Sequence, residues 1–172
     1  MRNASLIAAA FGSTILGCAA QAAPPKLPAT VAADLETVAA ECTGVGGKAL
    51  TDDAVRQVDL NGDGKGDFVL FLGWITCEGA ASIYGDRAKG VYVYAGDGSG
   101  GAQSAFTEAA YDVKVEGAGP AARLWLTVSG ARCGQKQTAS FAEEKFCDRP
   151  LAWNPTARRF DFAPVSSVRM LQ

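Results

Sequence analysis

Residues 68–75, Phe-Val-Leu-Phe-Leu-Gly-Trp-Ile, are apolar throughout apart from one glycine, so neither face of this segment can be left to water. Turn-forming residues precede the run. It reads as the central strand of a sheet, covered on one side by a helix and on the other by a second layer. The rest of the chain fits such a frame. Period-two strands are expected near 54–58, 68–76, 90–95, 103–108, 111–116, 123–129, 137–141, 150–153 and 160–163, each bounded by Gly, Pro, Asp or Asn. Short strands at this spacing predict a mostly β, antiparallel fold, a sandwich or an open barrel-like sheet. Ahead of them Leu35, Val38, Ala39 and Cys42 fall at i, i+3, i+4 and i+7. Thr30 stands as a candidate N-cap and Gly44 as a stop, which predicts one amphipathic helix over 31–42.

The stretch entering the central strand is Asp59-Leu60-Asn61-Gly62-Asp63-Gly64-Lys65-Gly66-Asp67. Oxygen-bearing side chains recur at alternate positions with glycines between them, the layout of a loop that wraps a hard cation. Asp59, Asn61, Asp63 and Asp67 would supply side-chain oxygens, Lys65 its carbonyl and water the remainder. Such an oxygen-only set suits calcium better than zinc or copper. Asn-Gly and Asp-Gly also build metal-free Asx turns. Against that alternative, three carboxylates in one short loop face only Lys65, and would repel one another with no cation between them. An EF-hand is excluded, because the twelfth position is Leu70 rather than a bidentate Glu.

With a strand after the loop and then Gly90-Val91-Tyr92-Val93-Tyr94-Ala95 running into the Gly-rich turn at 96–101, residues 57–106 resemble a single integrin-type (FG-GAP or VCBS) calcium-loop repeat. The resemblance implies calcium at Asp59, Asn61, Asp63 and Asp67, with Lys65 through its carbonyl. It implies no propeller, since the chain holds one copy of the motif.

Arg2, an apolar stretch over 6–17 and Ala20-Gln21-Ala22 have the three-part layout of a secretory signal over 1–22, which implies a periplasmic or secreted protein. Ile15-Leu16-Gly17-Cys18 also resembles a lipobox, the alternative being a lipid anchor at Cys18. Residues 23–29 are Pro-rich and read as an extended lead-in to a single domain over 30–172. Four cysteines then remain, Cys42, Cys77, Cys133 and Cys147, an even number that in an exported chain favours disulfides. Of three possible connectivities the local one, Cys42–Cys77 with Cys133–Cys147, brackets one supersecondary unit per bridge.

With 16 basic against 18 acidic residues the chain is mildly acidic, which argues against nucleic acid as a partner. It has no histidine, so Ser-His-Asp and Cys-His mechanisms are excluded. Tyr92, Tyr94, Trp74, Trp125 and Trp153 could form a sugar platform, although a core role suits them better. The adjacent Glu143 and Glu144 suit a solvated loop better than a paired acid and base. The expectation is a non-enzymatic exported domain with a structural calcium loop that meets an unknown protein or glycan partner in the cell envelope. The alternative is an inhibitor of an extracytoplasmic hydrolase such as a lysozyme-type enzyme, which would insert the 79–89 loop or the 96–101 turn into a cleft.

Overall fold

The computed structural model describes residues 26–85, 87–136 and 140–171. The signal segment, the lipobox with Cys18 and most of the strand expected over 137–141 lie outside them. Among the described residues one α-helix, α1 (Ala29–Gly44), precedes eleven strands: β1 (Lys48–Leu50), β2 (Val55–Val58), β3 (Asp67–Phe71), β4 (Thr76–Glu78), β5 (Lys89–Gly96), β6 (Ala102–Ala110), β7 (Asp112–Glu116), β8 (Arg123–Ser129), β9 (Phe146–Asn154), β10 (Arg159–Phe162) and β11 (Arg169–Met170). All pairings are antiparallel. A four-stranded sheet has the order β2-β3-β5-β6. A five-stranded sheet runs β10-β9-β8-β7 with β11 added on β9, and β1 pairs with β4.

The central strand is β3, held between β2 and β5 and buried at all five positions. Alternation sends Phe68 and Leu70 toward α1, where they pack with Val31, Val38, Cys42 and Tyr94. Val69 and Phe71 face the five-stranded sheet and meet Val91, Val93, Leu124, Leu126 and Val128. The result is three layers, helix on sheet on sheet. Tyr94 also donates a hydrogen bond to Asp34 Oδ2 of α1 at 2.6 Å, and burial followed by this carboxylate pushes its hydroxyl pKa well up.

Both disulfides expected from the sequence are present: Cys42–Cys77 ties the end of α1 to β4, and Cys133–Cys147 ties β9 to the turn after β8. They close loops of 35 and 14 residues. On chain-entropy grounds each contributes about 3–4 kcal/mol.

Four local expectations are corrected. The central strand stops at Phe71 rather than continuing to Thr76. A tight turn over Leu72–Trp74 follows it, and a Cβ at Gly73 would sit 2.2 Å from the Phe71 ring, so the chain folds back under that ring only with glycine there. Residues 76–78 then leave for the small sheet with β1, a strand that the periodicity was too short to reveal. Thr30 is not the N-cap; Pro28 is, and the Thr30 hydroxyl donates instead to the Ala102 carbonyl of β6 at 2.7 Å, pinning the helix to the sheet edge. Leu27 and Pro28 are not a free lead-in, since Pro28 is fully buried and Leu27 packs against the helix-side core. Phe141 belongs to a short 3₁₀ turn, Phe141–Glu143, not to a strand.

Candidate functional site

The stretch 59–66 connects β2 to β3, whose pairing closes at Val58↔Asp67. Its exposed half is a run of side-chain-to-backbone turns. Asp59 accepts the Gly62 N–H on Oδ1 (2.8 Å) and the Gly64 N–H on Oδ2 (3.0 Å). Asn61 Oδ1 accepts the Asp63 N–H and Asp63 Oδ1 accepts the Lys65 N–H, both at 2.9 Å. Gly62 and Gly64 both sit at φ +78°, left-handed backbone that suits glycine. Lys65 Nζ stands 4.0 Å from Asp63 Oδ2, an exposed pair of little energetic weight.

Asp67 is built differently. It is fully buried, the first residue of β3, and four donors converge on its carboxylate. Oδ2 accepts from the Leu60 N–H (2.9 Å) and the Asn61 N–H (3.2 Å). Oδ1 accepts from Asn61 Nδ2 (3.3 Å) and the Gly96 N–H (3.1 Å). Burial raises its pKa above the ordinary carboxylate value, against the lowering pull of the backbone donors. Gly96 comes this close because it lacks a side chain: a Cβ there would lie 2.0 Å from the Gly66 carbonyl oxygen. Asp67 thus bolts the loop onto the β5–β6 hairpin.

The five residues expected to bind a cation are therefore in one connection but in two roles. Asp67 has its four lone-pair positions occupied by protein donors. Among the described residues no three of His, Cys, Asp and Glu converge as a metal cluster. A cation at this loop would draw on Asp59, Asp63, the Asn61 amide oxygen, the Lys65 carbonyl and water. That all-oxygen chemistry fits a hard ion.

The neighbouring Gly-rich turn is organised by Asp97. Its Oδ1 accepts from the Ser99 N–H (2.7 Å), the Ser99 hydroxyl (2.8 Å) and the Gly101 N–H (2.9 Å), bonds that hold its pKa below the usual range. The turn is a hairpin loop, as its composition predicts.

Two adjoining hollows flank the 59–66 loop. One, of about 440 Å³, lies between Leu60, Asn61 and the five-stranded sheet, where Arg123, Trp125, Trp153 and Ser167 line it. The other, of about 120 Å³, is bordered by Asn61, Asp63, Lys65, Asp97, Trp153 and Arg158. The five aromatics considered as a platform are dispersed. Tyr92 and Tyr94 face the helix and Trp74 stacks edge-on against Phe71. Trp125 lies under the Arg169 guanidinium at 3.6 Å. Only Trp125 and Trp153 border one cleft.

A feature the sequence reading missed is Asp148 on β9, also buried. It accepts from Lys114 Nζ at 2.8 Å and from the Thr127 hydroxyl at 2.6 Å. Burial alone would raise its pKa, but Lys114 and Thr127 together hold it below the ordinary value. The three residues share one face because Thr127 is in register with both Asp112 and Asp148, and Lys114 follows Asp112 by two. No motif announces them; only the strand register does. Comparison of the chain with family models, with characterised proteins and with solved structures finds no match.

Proposed function

We propose that this is an exported, non-enzymatic binding domain in which the 59–67 loop holds a structural calcium ion. The single observation that carries the reading is the loop's position: it is anchored in the sheet through Asp67 and forms one wall of the adjoining clefts. An ion bound by Asp59, Asn61, Asp63 and the Lys65 carbonyl would stiffen that wall. Calcium would screen the repulsion between carboxylates, and the residues would do the rest by holding the clefts open in one shape.

Two disulfides support a compartment outside the reducing cytoplasm, in the periplasm or beyond the cell. No helix among the described residues is long and apolar enough to cross a membrane. The absence of histidine and the use of four thiols in bridges support a binding rather than a catalytic task. The inhibitor reading has less support: Tyr84, in the middle of the 79–89 loop, is buried with its hydroxyl donating to the Val38 carbonyl at 2.9 Å, which draws that loop down onto α1.

The test is thermal unfolding of the oxidised protein in EDTA and across a calcium titration, with magnesium as control. A calcium-specific rise in Tm, absent in Asp63→Asn, is expected. At a hundredfold excess over Kd the gain would be about 2.7 kcal/mol. No shift at millimolar calcium would reduce the loop to a turn.

A further inference from the structure

We propose that the groove running past Trp153 binds an acidic glycan, with the indole stacking on a sugar ring and Arg158 and Arg123 receiving its carboxylates. This deepens the binding-domain reading and does not depend on calcium occupying the loop.

Trp153 stands on β9, half-buried, with its ring tilted against Phe160 at 4.9 Å between centroids. It is the aromatic residue shared by both hollows, so the two adjoin at its indole. The larger hollow is of the size that takes a small molecule. Around the indole stand groups that recognise hydroxyls, Ser167 in the larger hollow and Gln103 in the smaller, while the Asn61 amide, which lines both, is bonded to the Asp63 N–H and the Asp67 carboxylate. An aromatic face surrounded by amides, a hydroxyl and guanidinium groups suits a ring with apolar C–H faces and an equatorial belt of oxygens.

Charge selects the acidic class. Arg132, Arg159 and Arg169 are paired with Glu108, Asp161 and Glu116. Arg158 has no carboxylate partner among the described residues, and the Arg123 hydrogen bonds go to the Pro120 and Ala122 carbonyls. One of these arginines lines each hollow, Arg123 the larger and Arg158 the smaller. Two acids, Asp63 and Asp97, also line the smaller hollow with Lys65 beside them and accept N–H groups of their own loops, whereas the lining of the larger hollow carries Arg123 and no carboxylate.

The test follows the three indole N–H resonances and tryptophan emission of the full oxidised protein, with and without calcium. The titrants are a hexuronic acid tetrasaccharide, its carboxyl-reduced counterpart and a tetraglutamate peptide. The uronate is expected to shift the Trp153 resonance saturably, with a Kd in the millimolar range or tighter. Trp153→Ala should weaken it about tenfold or more. Arg158→Gln, an exposed change that spares the fold, should weaken the uronate severalfold and leave the reduced chain unaffected. Far-UV dichroism and Tm of each variant establish that it is folded. No shift at Trp153, equal binding of the peptide, or binding indifferent to Arg158→Gln would overturn the proposal. A calcium-dependent Tm without saccharide binding would leave the calcium loop standing and remove the glycan; saccharide binding without a calcium response would do the reverse.

Discussion

Asp67 and Asp148 are both buried carboxylates on strands paired on both sides, and the protein satisfies them by opposite means. Asp67 receives four neutral donors, three of them backbone N–H groups, and no cation; burial leaves its pKa raised. Asp148 receives an ammonium and a hydroxyl, and its pKa is lowered. Backbone donors are fixed in direction by the fold, whereas a lysine at the end of a flexible stem can swing to water. Asp67 is therefore an organiser of chain path: it joins residues 60, 61 and 96 from two connections. Asp148 is a cross-strand contact within one sheet.

The largest effect should follow Asp67→Ala. It leaves Leu60, Asn61 and Gly96 N–H groups without their acceptor, and at about 1–3 kcal/mol for each buried donor left unpaired the expected loss is at least about 3 kcal/mol in urea unfolding. Asp148→Ala should cost less, about 1–3 kcal/mol, since Lys114 is partly exposed and can hydrate. The Asp148→Ala, Lys114→Ala pair should lose less than the sum of the single changes. Equal losses for Asp67→Ala and Asp148→Ala would erase the distinction.

Acid titration sharpens the comparison. A carboxyl whose folded pKa is depressed contributes stability that is present above its unfolded value, 3.8, and is lost as pH falls through the folded value. Asp148→Asn should accordingly flatten the acid limb of stability against pH below about pH 4, as read by urea midpoints. The smallest effect belongs to Asp63→Asn, on the exposed half of the loop: within about 0.5 kcal/mol of the parent in EDTA, with loss of any calcium increment.

How far these features were legible in the sequence differs between the two. The alternation of oxygen-bearing residues marked Asp67 as a cation ligand, and the double-faced apolar run that follows it correctly located the central strand, the covering helix and the second layer. Its task was not legible, because the Gly96 N–H that completes it lies 29 residues away and arrives only through the β3–β5 register. Asp148 carried no signal at all, as its partners Lys114 and Thr127 come from two other strands. Local composition also could not see that Gly73 folds the chain away under Phe71, or that Thr30 serves β6 rather than the helix end. The disulfides were legible because, of three connectivities, the local one lets each bridge bracket a single supersecondary unit. The Trp153 groove was not, since Trp153, Asn61 and Arg158 meet only when the two sheets stack.

The most direct measurement is native-state amide hydrogen exchange of four residues in EDTA and then in calcium. Leu60 and Gly96 donate to buried Asp67, while Gly62 and Gly64 donate to Asp59 in the exposed part of the loop. The account predicts that Leu60 and Gly96 are protected near the global unfolding limit in EDTA, and that Gly62 and Gly64 exchange fast until calcium slows them. If all four exchange alike in EDTA, and calcium changes none of them, then Asp67 does not anchor the loop and the loop does not hold the ion.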